Sequence, residues 1–275
     1  MTADLSRIGG LLLVGCGKMG GALLQGWLAR GVPAERIHVV EPALDPSRTQ
    51  VPEGVGTVAD AADLPDGLSP EIVVFAVKPQ AMSDVVPAYA RFAGPGTAFV
   101  SIAAGTPIRF FEQRLGEIAM IRVMPNTPAA IGHGMSVLCA NARTTADQRA
   151  VAEGLMAAVG ATAWLEGEAL MDAVTAVSGS GPAYVFLLIE CLAKAGEEVG
   201  LDPDVARTLA LQTVAGAGAL AVQSADDAAQ LRVNVTSPGG TTEAALKVLM
   251  AADGLQPLLT RAVEAAEKRG KELGA

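Results

Sequence analysis

The first 165 residues alternate short apolar runs with segments of helical periodicity, which limits the possible folds more than any other feature. The runs are rich in Val and Ile and are apolar without alternation, as is typical of strands covered on both faces. Helical segments lie between them at residues 19–30 and 80–92, and Thr106 followed by Pro107 predicts another helix start. This alternation predicts an α/β fold with a doubly wound, parallel, Rossmann-type sheet. The predicted strands cover residues 11–15, 37–41, 72–77, 98–103 and 118–124.

The pattern changes near residue 166, after which helical periods dominate. Asp202 followed by Pro203 predicts the start of one of these helices. We therefore predict two domains, a Rossmann domain over residues 1–166 and an all-α domain over residues 167–275. The predicted helices of the second domain cover residues 170–178, 184–199, 203–223, 241–252 and 256–271.

Two of these helices are very apolar for a small domain. The segment YVFLLIECLA is apolar around its circumference, and LALQTVAGAGALA is full of small residues that let backbones approach closely. We predict that a second subunit covers them, as an exposed patch this apolar is unusual in a monomer; a self-contained bundle is the alternative. The uncharged stretch 208–225 is long enough to raise the question of a membrane span. Its Gln and Thr side chains favour a buried or interfacial helix.

Charge and composition argue against several partners. The net charge of -9 is unsuited to nucleic acid, whose phosphates require a basic face, and to an anionic membrane surface. The three cysteines stand far apart without a Cys-x-x-Cys pair, which favours a reducing, cytoplasmic location over a disulfide framework. Only two histidines are present, so we predict neither a His-based metal site nor a hydrolase triad.

The segment LLLVGCGKMGGALL contains a Gly-x-Gly-x-x-Gly pattern directly after the first predicted strand. Its first Gly allows a tight turn, the second lets the backbone approach a pyrophosphate, and the third lets helix and strand pack closely. The helix N-terminus then stabilises the phosphate charge. We therefore predict a dinucleotide site; a glycine-rich turn without a ligand is the alternative. The predicted cofactor-binding residues of this loop are Gly15, Cys16, Gly17, Lys18, Met19 and Gly20.

Further cofactor contacts are expected where other strands end, because the carboxyl ends of parallel strands face the ligand crevice. Glu41 ends the second strand, where an acid can bond the ribose 2′-hydroxyl and would repel a 2′-phosphate. Glu41 alone favours NADH over NADPH, although Arg48 nearby could weaken that preference; an ordinary exposed Glu is the alternative. For Lys78, a solvated charge at the end of the strand is the alternative. The residues predicted from FAVKP and SIAAG are Ala76, Val77, Lys78, Pro79, Ala103 and Ala104.

Three segments are unusual for pure scaffold: MPNTP, VSGSGPAY and NVTSPGGTTEAAL. The first places Asn126 at the crevice edge. The second interrupts a helical pattern with Gly and Pro, so the helix must break or kink, which lets another element come near. Together with the fingerprint, AVKP and AAG, they make the chain closely resemble the pyrroline-5-carboxylate reductase family over nearly its whole length.

This resemblance implies reduction of the cyclic imine 1-pyrroline-5-carboxylate to L-proline with NADPH or NADH, the last step of proline biosynthesis. It also implies a Rossmann domain and a helical domain that interlocks with that of a partner in a homodimer. Dimers of the family often build larger rings. Many members prefer NADPH and carry Ser or Asn-Arg-like residues where this chain has Glu41 and Pro42, which leaves the cofactor choice open.

The resemblance also implies a substrate loop near the carboxyl end, with Thr242 nearest to the ring nitrogen. Backbone N–H groups of Gly239 to Thr242, at the start of a helix, can bind the substrate carboxylate without Arg or Lys. Hydride transfer to a protonated imine needs little acid–base help, so we expect Thr242, the predicted catalytic residue, to position the substrate. The predicted substrate-binding residues are Asn126, Asn234, Ser237, Gly239, Gly240, Thr241 and Thr242.

Two other functions are compatible with the sequence. A reductase of the 3-hydroxyacid dehydrogenase type would use a Lys on a helix of the second domain, for which Lys194 is the candidate. Lys194 lies among charges at the far end of a helix, which favours a solvated side chain. A non-enzymatic NAD(P)-binding sensor would need the fingerprint but not the SPGGTT segment.

Overall fold

The computed structural model describes residues 4–43 and 51–274, so Arg48 lies outside the described residues. Its strands are β1 (Leu11–Val14), β2 (Ile37–Val40), β3 (Gly56–Val58), β4 (Ile72–Phe75), β5 (Ala98–Ser101), β6 (Ala119–Met124), β7 (Gly134–Ala140) and β8 (Gly160–Trp164). They form one 8-stranded sheet with the order β3-β2-β1-β4-β5-β6-β7-β8. Strands β1 to β6 are parallel to one another. This is the strand order of a dinucleotide-binding sheet, and the predicted fold class is confirmed.

The five predicted strands are all present, whereas β3, β7 and β8 were not predicted. Strand β3 is only 3 residues long, and β8 alternates half-buried and exposed residues. Strand β7 runs antiparallel to β6, and β8 is parallel to β7. The reversal is possible because the connection between β6 and β7 is short, whereas a parallel pair needs a longer crossover.

Alternate residues of the first strand supply the two faces of the core. Leu11 and Leu13 pack in one apolar cluster, and Leu12 packs in another. Trp27 is fully buried in the first cluster, where its Nε1–H donates a hydrogen bond of 2.9 Å to the Leu155 carbonyl oxygen. The sheet is therefore covered on both faces, as the continuous apolar runs predict.

The helices that lie between or just after the strands are α1 (Lys18–Ala29), α2 (Met82–Val85), α3 (Ile108–Leu115), α4 (Ala146–Ala157) and α5 (Met171–Val174). The predicted helix over residues 80–92 was wrong in extent: α2 has 4 residues and is followed by a 3-10 segment, Val86–Phe92. Pro87 accounts for this, since it has no N–H to donate to a helical hydrogen bond. The predicted cap at Thr106 was also wrong, because Pro107 occupies the N-cap position of α3.

The later helices are α6 (Gly181–Glu198), α7 (Pro203–Gln223), α8 (Ala228–Asn234), α9 (Thr241–Leu249) and α10 (Leu255–Gly274). Helix α7 has the predicted bounds, and the Asp202 side chain caps it by accepting from the N–H groups of Asp204 and Val205. Helix α8 was not predicted. The predicted helix over residues 170–178 is α5 followed by a π-helical turn, Thr175–Gly179, instead of one regular helix.

The chain divides into two compact units. One contains the residues up to Gly179 and the end of the chain from Glu267, and the other is Ser180–Ala266. The predicted division at 166/167 therefore does not coincide with the compact units, because α5 and the π-helical turn belong to the first of them.

The second unit has almost no interior of its own. Within Ser180–Ala266, all of which the structure describes, only Ala206 and Ala210 are buried. Large apolar side chains are exposed instead, including Phe186 and Leu187, each at 58%. Glu168–Glu198 and Pro203–Gln223 are each long and apolar enough to cross a membrane, by length and composition alone. A partner subunit would cover the same surfaces, since single chains rarely expose so much contiguous apolar area.

Candidate cofactor and substrate site

The first fingerprint glycine sits where no other residue fits without strain. Gly15 has a φ of +91°, a conformation that side-chain-bearing residues rarely adopt. A Cβ added there would lie 2.7 Å from Val77 Cγ1 and 2.9 Å from the Val77 backbone nitrogen. Gly15 therefore makes the tight turn after β1 and lets that turn approach the segment that follows β4.

The other two fingerprint glycines have opposite surroundings. A Cβ on Gly20 would lie 2.3 Å from the Gly15 carbonyl oxygen, so this position holds helix α1 close to the turn. Gly17 is the N-cap of α1, and a Cβ there would meet nothing within 4 Å. Open space beside a helix N-terminus fits a pyrophosphate, which the N–H groups of the first helical turn can bind.

Glu41 lies against the fingerprint loop. Its Oε2 accepts a hydrogen bond of 2.8 Å from the Cys16 N–H, and its Oε1 accepts one of 3.0 Å from the Ala43 N–H. Its own N–H donates to the Val58 carbonyl oxygen at 3.0 Å. The carboxylate is thus anchored at the end of β2 by both oxygens, whereas the sequence left an ordinary exposed Glu as an alternative.

The thiol of Cys16 is not a reactive group of this site. Burial raises its pKa to about 11, and the nearby Glu41 carboxylate adds to the effect. The thiol therefore stays protonated near neutral pH, and a protonated thiol is a poor nucleophile. Cys16 contributes its backbone to the loop.

The strand-end residues differ in exposure. Ala76 is half-buried, and its N–H donates to the Val14 carbonyl oxygen at 2.8 Å, which ties this segment to the end of β1. Lys78 is exposed, which suits both a cofactor contact and a solvated charge. Ala103 is buried in the core cluster, whereas Ala104 is exposed. Only Ala104 of the pair therefore presents its side chain at the surface of this loop.

Asn126 connects the MPNTP segment to the π-helical turn. Its Oδ1 accepts a hydrogen bond of 2.8 Å from the Met135 N–H. Its Nδ2 lies 3.3 Å from both the carbonyl oxygen and the Oγ of Ser178. The sequence predicts Asn126 as a substrate contact; in the structure its amide is already engaged within the protein.

The VSGSGPAY segment widens the helix instead of breaking it sharply. A π-helical turn covers Thr175–Gly179, and α6 begins two residues later with Pro182 in its first turn. A Cβ on Gly179 would lie 2.5 Å from Met124 Cε, so the end of β6 approaches this turn closely. The sequence predicts that another element comes near this interruption of the helix, and β6 is that element.

The proposed substrate loop lies between α8 and α9. Asn234 ends α8, and its side chain accepts from Gln230 Nε2 at 2.7 Å and donates to Asp226 Oδ2 at 3.0 Å. Gly239 has a φ of +72°, so the turn before α9 requires glycine there. Gly240 is the N-cap of α9, and Ser237 is exposed.

Two of the N–H groups that we expected to bind the substrate carboxylate are already occupied. The Gly239 N–H donates to Glu243 Oε2 at 2.6 Å, and the Gly240 N–H donates to the Ser237 carbonyl oxygen at 3.0 Å. The first-turn N–H groups of Thr241 and Thr242 have no acceptor among the residues that the structure describes. The Glu243 cap was missed, although Glu in the first turn of a helix is a familiar capping signal.

The ion pairs of the buried Arg122 side chain were also missed. Arg122, in the middle of β6, pairs with Glu168 at 3.1 Å and lies 4.0 Å from Asp172. Glu168 Oε2 also accepts from the Ile108 N–H at 3.0 Å, and so replaces the expected cap of α3. An Arg inside an apolar strand run is the signal for such a pair, because a buried charge needs a partner.

No group of three or more His, Cys, Asp or Glu residues could hold a metal ion in the parts of the chain that the structure describes. Lys194, the candidate base of the alternative reductase, is exposed on α6.

Two family models match the chain in different places. The model described as "NADP oxidoreductase coenzyme F420-dependent" matches residues 10–105. The model described as "Pyrroline-5-carboxylate reductase dimerisation" matches residues 168–273. The first match contains the fingerprint loop, and the second contains the π-helical turn and the proposed substrate loop.

Individual proteins match over nearly the full length. A pyrroline-5-carboxylate reductase of Pseudomonas aeruginosa is 42% identical over 264 residues, which is 96% of each chain. The solved structure of a pyrroline-5-carboxylate reductase from Coxiella burnetii has a TM-score of 0.90 at 36% identity and covers 98% of this chain and 100% of that one. A Plasmodium falciparum pyrroline carboxylate reductase with NADP bound has a TM-score of 0.82 at 29% identity, over 98% of this chain and 99% of that one.

Proposed function

The chain belongs to the pyrroline-5-carboxylate reductase family, and we propose from this premise that it reduces 1-pyrroline-5-carboxylate to L-proline with a nicotinamide cofactor. The observation that carries the proposal is the match to the Pseudomonas aeruginosa enzyme over 96% of both chains. It contains the dinucleotide loop and the SPGGTT segment together, and a sensor would need only the first. When bound, the reduced nicotinamide supplies the hydride that the imine carbon accepts.

The protein's own residues bind and orient the two reactants. The Gly17 backbone lets the pyrophosphate approach the N-terminus of α1, and the segments with Ala76, Lys78 and Ala104 border the rest of the cofactor. Because an imine is protonated before it accepts a hydride, the site needs no strong general acid. Orientation in a water-poor site is then the main contribution to rate.

We assign the substrate carboxylate to the start of α9. Support comes from the loop itself, where the Gly239 N–H already holds a carboxylate, that of Glu243, at 2.6 Å. The Thr241 and Thr242 N–H groups are the ones that remain for the substrate. The Thr242 hydroxyl then bonds the ring nitrogen and positions it, while Asn234 and Ser237 shape the loop. The chemistry requires this loop, from one chain or its partner, to bring the imine carbon to the nicotinamide.

We propose NADH as the preferred cofactor. Both Glu41 oxygens are held by backbone N–H groups, so the carboxylate cannot turn aside for a 2′-phosphate without losing two hydrogen bonds. Glu41→Gln keeps the shape and removes the charge. We expect it to shift the ratio of kcat/KM for NADH over NADPH towards NADPH by about tenfold, the effect of roughly one charge–charge contact.

The matched control is Glu71→Gln, because Glu71 also binds a backbone N–H, that of Gly9, at 2.7 Å, but at the opposite ends of the strands. It should leave the cofactor ratio unchanged. A wild-type enzyme that prefers NADPH, or a Glu41→Gln variant with the wild-type ratio, would reject this assignment.

We propose that the enzyme is a cytoplasmic homodimer whose subunits associate through the helical region, and that it binds neither a membrane nor nucleic acid. Two observations support the dimer: α6 and α7 have exposed apolar faces, and the dimerisation family model matches residues 168–273.

We place the functional domain boundary at residues 166/167, next to the start of that match. The three cysteines stand far apart in the sequence without a Cys-x-x-Cys pair, which suits a reducing compartment. Assembly of dimers into a ring is a further proposal that mass measurement would decide.

The first test is an assay of NADH or NADPH oxidation with 1-pyrroline-5-carboxylate, with proline identified as the product. We expect turnover that depends on both reactants. A protein that binds the cofactor but oxidises none of it with this imine would be a sensor or a different reductase. In that case a 3-hydroxyacid is the next substrate to try.

A further inference from the structure

The orientation of the Asn126 side-chain amide is fixed by its neighbours. A backbone N–H can only donate, so the Met135 N–H, at 2.8 Å, must face the amide oxygen of Asn126. The amide nitrogen therefore faces Ser178, where the carbonyl oxygen and the Oγ each lie at 3.3 Å. This assignment does not depend on a choice between the two orientations of the amide.

The same geometry fixes the direction of the hydrogen bond to the Ser178 hydroxyl. Because Asn126 Nδ2 is the donor, the Ser178 oxygen is the acceptor, and its own hydrogen is left for another acceptor. Ser178 is half-buried, so its hydroxyl is neither sealed in the core nor fully surrounded by water.

The π-helical turn that carries Ser178 is held at the carboxyl ends of the parallel strands. Asn126 follows the carboxyl end of β6, which is parallel to β5, and β5 is parallel to β4. The cofactor-binding segments after β4 and β5 therefore leave the sheet at the same edge. Met124 at the end of β6 contacts the turn at Gly179. Thr175 Oγ1 donates to the Met171 carbonyl oxygen at 2.8 Å, which steadies the helix where it widens, and such widened turns frequently occur at functional sites.

We propose that Asn126 is a positioning residue: its amide holds the π-helical turn Thr175–Gly179 at the crevice edge and leaves the Ser178 hydroxyl hydrogen to donate to the bound imino acid. Asn126 thus acts through Ser178 and does not itself bind the substrate. This inference rests on the proposed function and adds a substrate-contacting hydroxyl to it.

The test is Asn126→Asp, which keeps the shape and the acceptor for the Met135 N–H. A carboxylate cannot donate, so the Ser178 hydroxyl would donate to the introduced carboxylate and its hydrogen would be withdrawn from the substrate. We expect KM for 1-pyrroline-5-carboxylate to rise by about ten- to a hundredfold, the range for losing a hydrogen bond to a charged group, with the Kd for NADH within about twofold of wild type.

Asn141→Asp is the matched control. Asn141 Oδ1 also accepts from a backbone N–H, that of Met120, and its Nδ2 also donates to a carbonyl oxygen, that of Ile118. Asn141 follows the end of β7, which lies beside the start of β6 because the two strands are antiparallel. Asn141→Asp should lower Tm at least as much as Asn126→Asp, because Asn141 Nδ2 also donates to Glu112 Oε1 at 2.9 Å, but it should leave KM for the substrate unchanged.

Two further variants keep the inference testable if Asn126→Asp folds poorly. Ser178→Ala retains the bond from Asn126 to the carbonyl oxygen and should raise KM alone. The double variant Asn126→Asp/Ser178→Ala should be no worse than the more impaired single variant, because both changes remove the same donor. An unchanged KM in Ser178→Ala, additive effects, or equal kinetics in Asn126→Asp and Asn141→Asp would overturn the proposal. Each of these results requires an active wild-type enzyme, so they differ from a failure of the proposed function.

Discussion

The substitution Gly17→Ala in the fingerprint loop should weaken cofactor binding without destabilising the fold. Gly17 has φ and ψ of -71° and -160°, which alanine adopts readily, and a Cβ there would meet nothing within 4 Å. In Gly17→Ala the free protein should keep or slightly raise its stability, since replacing glycine at a compatible position stabilises by about 0.4–1 kcal/mol. The new methyl would nevertheless occupy the space that the pyrophosphate needs.

The expected loss of cofactor affinity follows from overpacking. An extra methyl forced into a filled contact costs roughly 1–3 kcal/mol. The Kd for NADH should therefore rise by about 5- to 150-fold, as measured by quenching of protein fluorescence or by calorimetry. Gly17→Ala should thus weaken NADH binding while its Tm stays at or slightly above the wild-type value.

The control is Gly20→Ala in the same loop. Its Cβ would lie 2.3 Å from the Gly15 carbonyl oxygen, and real contacts of this kind stay above 3.0 Å, so backbone must move. Both Tm and NADH binding should fall in this variant. If Gly17→Ala binds NADH as tightly as the wild type, the cofactor does not approach this glycine and the reasoning is refuted.

Three further predictions concern the helical region and the thiols. Thr242→Val should lower kcat/KM for the imine by about tenfold, the value of one hydrogen bond, without changing the Kd for NADH. The control Thr241→Val keeps its backbone N–H and should have nearly wild-type kinetics. Equal kinetics in the two variants would remove the Thr242 hydroxyl from the site. Phe186→Glu should convert the dimer into a monomer by light scattering, since this side chain is 58% exposed in the single chain; an unchanged dimer would place the interface elsewhere. Burial raises the pKa of both Cys16 and Cys139 to about 11. Because the folded protein binds these protons more tightly than the unfolded chain, the two thiols contribute to stability below the ordinary thiol pKa, and this contribution is lost as the pH rises towards 11. Both thiols stay protonated at about pH 8 and should therefore resist alkylation until the protein unfolds.

Local physical chemistry explains which parts of the fold could be predicted. The cap at Asp202 depends on neighbouring residues only, and the glycine pattern marks the turn at Gly15; both are as the sequence indicates. Strands β1 and β4 are continuous apolar runs, which few other structures accommodate. The Pro87 interruption was equally local, and the prediction of a helix over residues 80–92 gave it too little weight.

Other features depend on contacts between distant segments. The direction of β7 depends on its pairing with β6, which no local pattern encodes. The Arg122–Glu168 pair joins residues 46 positions apart, so neither residue reveals its partner. The hydrogen bond from the Gly239 N–H to Glu243 is local, because the two residues are only 4 positions apart. The N–H groups that a loop can offer to a ligand are therefore those that remain after its own capping bonds have formed.

Because so few residues are buried in Ser180–Ala266, we expect the stability of this unit to depend on protein concentration. A chain diluted below the dissociation constant of the proposed dimer would expose long, apolar helices to proteases and to other apolar surfaces, while the unit that contains the sheet would keep its own core. Melting temperature should accordingly climb as protein is added, by mass action. Damage to the association surface would shorten the protein's lifetime before it altered any step of the chemistry.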